Sequence, residues 1–189
     1  MKIAFVIYDG LTLLDFAGVY DPVTRLRTMG FLPDLAYTVC SLKETVRTSE
    51  GLLIRADATK CDLADFDYVL VPGGDGVREL MSDPEFLAWL RRRSETTVTA
   101  AVCGGSLLLG AAGLLRDRKA TTHPGLQGAL QHFAREISSD RIVEDGPVIT
   151  AGGVTAAIDL GLYLCEKIAG PAVREKIQVQ MDYRNYPCG

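Results

Sequence analysis

The chain has 189 residues, of which 48% are hydrophobic and 23% are charged, and its formal net charge is −4. These values predict a single globular domain over residues 1–189 and exclude a disordered chain. The basic residues do not gather into one stripe, so we expect no nucleic-acid partner. No uninterrupted run of about 18 apolar residues occurs, so we expect no transmembrane helix and no membrane partner.

An apolar run near the N-terminus, residues 3–8, predicts the first strand. It is too short for a signal peptide and lacks a cleavage-like site, whereas a central parallel strand buried on both faces has this composition. We therefore expect a cytoplasmic protein with reduced thiols.

The five cysteines are odd in number, and no two have C-x-x-C spacing. This pattern indicates neither a disulfide framework nor a metal site, and no other feature calls for a cofactor. Cys40 ends a strand-like run and Cys165 lies in an apolar helix, so both are expected in the core. Cys188, one residue from the C-terminus, is expected to be a loose thiol.

Asp15 follows the first strand and is surrounded by apolar residues, an unusual setting for a carboxylate. Residues 16–29 are predicted to form a helix, and Asp21-Pro22 is a candidate break in it. Asp15 fits two interpretations equally well. It can be a helix N-cap, or a carboxylate in a dry pocket whose raised pKa lets it donate or shuttle a proton.

The next segments continue the strand and helix pattern. Residues 35–41 predict a second strand, residues 45–55 a hairpin that turns at Glu50-Gly51, and residues 56–66 a polar connector. Further helices are predicted from Val77 and, with Asp83 as its cap, over residues 84–93.

A buried strand predicted over residues 67–71 ends in Pro72-Gly73-Gly74. Glycines at the carboxyl end of a parallel strand let backbone N–H groups approach an anion. An ordinary strand-to-helix turn is the plainer interpretation. No Gly-Lys-Ser/Thr follows, which excludes a Walker loop.

Cys103 stands between a predicted buried strand, residues 98–102, and a predicted helix, residues 106–115. A nucleophile at a sharp strand-to-helix turn is a nucleophile elbow, and small Ala101 and Gly105 let strand and helix approach. We expect the helix N-terminus to lower the pKa of the Cys103 thiol. The alternative is a buried structural cysteine beside a flexible glycine pair.

The chain has two histidines, so a histidine general base must be one of them. His123 stands in a loop before a helix predicted over residues 125–136, and His132 lies within that helix. The loop position favours His123, because loops at strand ends often carry chemistry. A structural role for His123 stays equally open.

The last part of the chain predicts a two-strand ribbon over residues 142–150 and helices over residues 154–169 and 172–180. Asp159, within the first of these helices, is expected to be structural. Strands and helices thus alternate along most of the chain, which predicts an α/β fold with a mostly parallel sheet covered on both faces.

Ligands of such sheets bind outside the carboxyl ends of the strands. Asp15, the Gly73-Gly74 pair, Cys103 and His123 each follow a predicted strand. We therefore expect them to share one rim of the sheet and to form an active site there.

Five motifs, taken together, resemble the DJ-1/PfpI superfamily: DGLTLLDFAG (9–18), VPGG (71–74), VCGGS (102–106), ATTH (120–123) and AGGVTAAID (151–159). The resemblance covers nearly the whole chain. It implies a flavodoxin-like three-layer sandwich with a cysteine elbow, like that of class I glutamine amidotransferases, and a homodimer. Within the superfamily the chain is most similar to isonitrile hydratases and to amidase-like domains of some AraC-type regulators.

The similarity to isonitrile hydratases implies a reaction. In those enzymes the motif cysteine is the nucleophile and the motif aspartate its acid/base partner, roles that map onto Cys103 and Asp15. The implied activity is a cofactor-free hydro-lyase that converts a small isonitrile and water into an N-substituted formamide.

The resemblance also implies a polar substrate pocket, with contributions from Gly73, Gly74, Gly104 and His123. Gly104 departs from the hydratases, which carry threonine directly after the nucleophile. Residues 18–21 depart from their usual Gly-Pro-x-Glu. Peptidase-type members place histidine after the cysteine, so Gly104 argues against peptidase activity.

Two other functions stay open at this point. One is a DJ-1-like glyoxalase or deglycase that acts on reactive carbonyls with a carboxylate near its cysteine. The other is a non-catalytic redox-sensing or ligand-binding module in which Cys103 is oxidised to the sulfinic state.

Overall fold

The structure, a computed structural model, describes residues 1–184. Cys188, the expected loose thiol, lies outside the described residues. The strands of the described part are β1 (Lys2–Val6), β2 (Ala36–Ser41), β3 (Thr45–Arg47), β4 (Leu53–Arg55), β5 (Ala58–Thr59), β6 (Tyr68–Val71), β7 (Val98–Val102), β8 (Lys119–Ala120), β9 (Glu136–Ile137), β10 (Ile142–Asp145) and β11 (Val148–Ala151).

Helices connect most of these strands. They are α1 (Leu13–Thr28), α2 (Val77–Leu80), α3 (Pro84–Arg91), α4 (Gly105–Ala111), α5 (Gln127–Leu130), α6 (Ala156–Ala169) and α7 (Pro171–Gln180). In residues 1–184 no helix is both long and apolar enough to cross a membrane.

The central sheet has seven strands in the order β10-β11-β7-β6-β1-β2-β5. Its neighbouring strands are parallel except for the antiparallel β10–β11 pair. The predicted α/β fold with a mostly parallel, flavodoxin-like sheet is confirmed. The hairpin predicted at Glu50-Gly51 is also present, as the β3–β4 pair.

Side chains of the central strand alternate between two apolar layers, as the two-residue period of a strand requires. Ile3 and Phe5 of β1 belong to the core shared with α1 and α6. Ala4 and Val6 belong to the core shared with α3 and α4. Helices therefore cover both faces, which gives three layers.

Helices α1 and α6 approach closely because small residues line their contact. A Cβ atom added at Gly18 would lie 2.7 Å from Ala157 Cβ, and one at Gly161 would lie 2.4 Å from Pro22 Cγ. Helix α1 continues through Pro22, so the candidate break is not present. Cys165 of α6 is buried, as expected, and its thiol donates to Pro22 O.

Two other predicted elements were wrong in part. The helix expected over residues 125–136 is a 3₁₀ turn, Pro124–Leu126, followed by the single turn of α5. Phe133 packs onto Gly110 of α4, where an added Cβ would lie 2.5 Å from Phe133 Cβ. The chain then pairs as β9 with β8 instead of continuing as a helix. The polar connector over residues 56–66 contains the short edge strand β5.

Candidate active site

The site lies at the point of the sheet where successive strands are added first on one side of β1 and then on the other. Strand β1 has β2 on one side and β6 on the other, so the connections that follow β1 and β6 leave on opposite faces of the sheet. A crevice forms at the carboxyl ends of strands at such a point. Asp15 follows β1, Gly73 follows β6 and Cys103 follows β7, and the structure brings these three residues together.

Asp15 is the third residue of α1, and its side chain is fully buried, with 0% exposure. The N-cap position belongs to Thr12, so the capping interpretation of Asp15 was wrong. Asp15 Oδ2 accepts a hydrogen bond of 3.0 Å from the Gly73 N–H. Asp15 Oδ1 has no hydrogen-bond partner of standard geometry within residues 1–184.

The environment of Asp15 favours a protonated carboxyl. Burial raises its pKa to about 7, although the hydrogen bonds with the Gly73 N–H and the Cys103 thiol act in the opposite direction. No cation neutralises it among its described partners. Because Oδ2 already accepts from Gly73, the proton of the neutral acid belongs on Oδ1.

Cys103 has the strained backbone of a nucleophile elbow, with φ of +54°. Its N–H donates to Gly152 O at 2.9 Å, and its carbonyl accepts from Thr122 Oγ1 at 2.7 Å. The tight turn also needs Gly105, where an added Cβ would lie 2.4 Å from Val71 O. These contacts hold Cys103 at the end of β7, where the residue is only 9% exposed.

The pKa of the Cys103 thiol is raised to about 11, first by burial and then by the nearby Asp15 carboxylate. The expectation that the helix N-terminus lowers this pKa overall was therefore wrong. The backbone N–H groups of Gly104 and Val154 do act in the expected direction, because both donate to the sulfur. Burial next to an acidic group outweighs these two donors.

Gly73 lies between the two reactive side chains. A Cβ atom added there would lie 2.8 Å from Asp15 Oδ2, 3.0 Å from Cys103 Cβ and 2.5 Å from the Gly104 nitrogen. Any larger residue would therefore separate the acid from the thiol.

The other residues expected in the pocket take up different positions. Gly74, with φ of +134°, packs its backbone against residues 10–12. Gly104 faces Val77 and Leu126, whose side chains would lie 3.2 and 3.4 Å from an added Cβ.

Neither histidine is hydrogen-bonded to Asp15 or Cys103 in the described part of the chain. His123 Nδ1 accepts from the Gly125 N–H at 3.1 Å. The His123 ring packs on Gly153, the residue before Val154. His132 is exposed in a turn after α5.

Sequence reasoning missed Val154 and the ion pair that supports its segment. Arg141 Nε bonds to Asp159 Oδ2, and Arg141 Nη2 bonds to Thr155 Oγ1. The Arg141 carbonyl also accepts from the Gly152 N–H at 3.0 Å. The available signal was the motif at residues 151–159, which contains both Val154 and Asp159.

The residues of this site lie within a match to a known protein family. The DJ-1/PfpI family model matches residues 1–167. The chain belongs to the DJ-1/PfpI family. Within residues 1–184, no group of three or more histidine, cysteine or acidic side chains is placed to hold a metal ion.

Relatives of this DJ-1/PfpI protein include an enzyme. The chain is 34% identical to isonitrile hydratase of Pseudomonas putida over 189 residues, covering 99% of this chain and 80% of the relative. It is 28% identical to DJ-1alpha of Drosophila melanogaster over 182 residues, covering 94% and 75%. The crystal structure of a ThiJ/PfpI family protein from Pseudomonas syringae superposes with a TM-score of 0.89 at 32% identity, covering 100% of this chain and 77% of that one.

Proposed function

We propose that this protein is a cysteine-dependent isonitrile hydratase in which Cys103 is the nucleophile and Asp15 moves the protons. The observation that carries the proposal is the buried Asp15–Cys103 pair, a carboxyl group and a thiol that lie together beside Gly73 without a cation. The similarity to the Pseudomonas putida enzyme supplies the reaction class.

An isonitrile carbon must receive both a nucleophile and a proton. In the proposed first half, the Asp15 carboxylate takes the thiol proton as the Cys103 sulfur attacks the terminal carbon of R–N≡C. The S–H bond breaks and an S–C bond forms. Asp15, now a neutral acid, gives the same proton to that carbon, which leaves the thioimidate R–N=CH–S–Cys103.

The second half consumes water. Asp15 accepts a proton from water while the water oxygen adds to the thioimidate carbon. Asp15 then passes that proton to the substrate nitrogen. The resulting R–NH–CH(OH)–S–Cys103 collapses, its C–S bond breaks, and the hydroxyl proton returns to the sulfur. The product is R–NH–CHO, so one isonitrile and one water give one formamide.

Backbone donors assist whenever negative charge develops on the sulfur. The N–H groups of Gly104 and Val154 already point to it and need no rearrangement.

The access to Cys103 suits a narrow reactive group. Cys103 is 9% exposed as a residue, and the small residues Gly73 and Gly104 lie beside it. A linear –N≡C group needs little width. Apolar Val77 and Leu126 beside Gly104 offer contact to an apolar substituent. In this proposal the missing threonine hydroxyl after the nucleophile is not required, and the enzyme acts as a homodimer.

The test is to follow N-alkylformamide by chromatography after purified protein meets a simple alkyl isonitrile. We expect formamide from the wild type and none from Cys103→Ala. Cys165→Ala is the matched control, because this thiol is buried in α6, and it keeps activity. A folded wild type with a free Cys103 thiol that forms no formamide would contradict the proposal.

A second candidate is a DJ-1-like activity on reactive carbonyls. The carboxyl–thiol pair favours it too, because a thiol beside a proton carrier can add to an aldehyde as readily as to an isonitrile. Methylglyoxal consumption and its products, measured in the same samples, separate the two. Turnover of methylglyoxal without formamide would replace the first proposal by this one.

A further inference from the structure

A second pair of thiols lies outside the active site. Cys40 is the last but one residue of β2 and is buried. Cys61 follows the edge strand β5 and is half-buried. These strands are parallel neighbours, with Cys40 beside Ala58.

A left-handed turn folds Cys61 back towards Cys40. Lys60 has φ of +54°, a backbone conformation that non-glycine residues rarely adopt, and its N–H donates to Ser41 O at 2.8 Å. Trp89 Nε1 holds the Cys61 carbonyl at 2.8 Å.

The two side chains lie in the same apolar cluster, and each thiol shifts the pKa of the other. The Cys40 thiol donates to Thr38 O at 3.7 Å. Both are free thiols in this structure. Lys60 and Trp89 thus hold the backbone on both sides of the Cys61 side chain next to β2, the strand that carries Cys40.

We propose that Cys40 and Cys61 are a redox modification site, distinct from the Cys103 site, that a peroxide converts into a reversible disulfide. The two sulfurs have different roles in this reaction because their environments differ. Cys61 is the more exposed residue, and its interaction with Cys40 lowers its pKa. The same interaction, and after it burial, raise the pKa of Cys40.

The reaction has two steps. The Cys61 thiolate attacks one peroxide oxygen, the O–O bond breaks, and sulfenic acid and water form from hydrogen peroxide. The Cys40 thiol then attacks the Cys61 sulfur, the S–S bond forms, and the S–O bond breaks to release a second water. The two thiols lose two electrons, and the peroxide gains them.

This disulfide would close the base of the segment between residues 40 and 61. The β3–β4 hairpin in that segment holds the loop that leads to Asp15. Arg47 O accepts from the Gly10 N–H at 2.7 Å, and the Glu50 carboxylate accepts from the Leu13 N–H. Because a cross-link reduces the freedom of the unfolded chain, we expect oxidation to raise the melting temperature by several degrees.

The test uses a Cys103→Ser/Cys188→Ser chain, so that neither the elbow thiol nor the C-terminal thiol competes. It is treated with a small excess of hydrogen peroxide, blocked with an alkylating reagent, and digested without reduction. We expect the peptides of Cys40 and Cys61 to be linked with the loss of two hydrogens. Dithiothreitol should separate them, and the melting temperature should rise on oxidation and return on reduction.

Two controls keep the result interpretable. Cys165 should stay a free thiol throughout, and Cys61→Ser should leave Cys40 reduced. The same mapping on the wild-type chain gives an answer even if the double variant folds poorly. Oxygen atoms on Cys61 without a link to Cys40, a link between two chains, or an unreacted pair would each overturn the proposal.

Discussion

Two buried carboxylates on neighbouring helices have opposite surroundings. Asp15 lies in the first turn of α1 and Asp159 in the first turn of α6, and both side chains are 0% exposed. Asp15 has one backbone N–H and a thiol as partners. Asp159 has the Arg141 guanidinium and the Tyr183 hydroxyl, the latter at 2.9 Å.

Asp159 has a cation beside it and Asp15 has none among its described partners, and this difference gives the two carboxyl groups different functions. A buried carboxylate that is bonded to a guanidinium is held in place and serves as a fixed anchor. A buried carboxyl group without a cation exchanges a proton near neutral pH. Asp159 and Arg141 fix residues 152–155, which deliver the Val154 N–H to the sulfur. In our account Asp15 carries out the chemistry and Asp159 positions a donor for it.

The largest expected effect is the loss of turnover in Asp15→Asn. An amide of the same shape cannot take the thiol proton, so we expect kcat for isonitrile hydration to fall by roughly 10²–10⁴. Asp159→Asn, the matched substitution on the other helix, should lower kcat by less than about tenfold. Equal losses in the two variants would remove the distinction between the two carboxylates.

For stability we expect the opposite order: Asp159→Asn should destabilise the chain more than Asp15→Asn does. The pKa of Asp15 in the folded chain, about 7, is above the ordinary aspartate value of 3.8. Its contribution is therefore fully present below pH 4 and is lost as the pH rises through 7, by roughly 4 kcal/mol at most. Asp15→Asn should remove this loss, whereas Asp159→Asn should destabilise the chain by about 1–3 kcal/mol. Urea unfolding at several pH values measures both, and an Asp15→Asn chain with the wild-type pH dependence would contradict the assignment.

Gly73→Ala should separate the acid from the thiol. The added methyl group would lie 2.5 Å from the Gly104 nitrogen and 2.8 Å from Asp15 Oδ2. We expect at least a tenfold loss of kcat/KM and a destabilisation of about 1–3 kcal/mol. Gly128→Ala is the control, because an added Cβ there meets nothing within 4 Å. If Gly73→Ala keeps wild-type turnover, the close contact is not required.

The sequence predicted the sheet, its two covered faces and the rim that carries Asp15, Gly73 and Cys103, because buried strands and glycine turns leave strong local patterns. It could not predict that the Cys103 pKa rises, since this depends on burial and on Asp15, 88 positions earlier in the chain. The Val154 donor was missed for the same reason. Its backbone N–H is brought to the sulfur by long-range contacts of Arg141 and not by its side chain.

The pH dependence of turnover should reflect the pKa values of Asp15 and Cys103. Below the pKa of Asp15, about 7, no carboxylate is available to take the thiol proton, so the rate should rise with pH through this range. Above the pKa of Cys103, about 11, no proton remains to reach the isonitrile carbon, so the rate should fall again. These are macroscopic values of the pair. A profile of kcat/KM that is flat between pH 5 and 9 would disagree with the mechanism.

The smallest expected effect is that of Glu50→Gln. The Glu50 carboxylate raises the pKa of Asp15 from outside the core, and the amide oxygen of glutamine can still accept from the Leu13 N–H. The acid side of the pH profile should therefore move to lower pH by a fraction of a unit, with unchanged maximal kcat. A shift to higher pH would contradict the sign of this interaction.

The most direct test of the central claim needs no substrate. Infrared difference spectroscopy detects the carbonyl band of a protonated carboxylic acid, and Asp15→Asn identifies which part of that band comes from Asp15. We expect an Asp15 band that is present at pH 5 and disappears with a midpoint near 7. An Asp15 that is already ionised at pH 5 would contradict the raised pKa of this carboxyl group and the rise of turnover with pH that we derive from it.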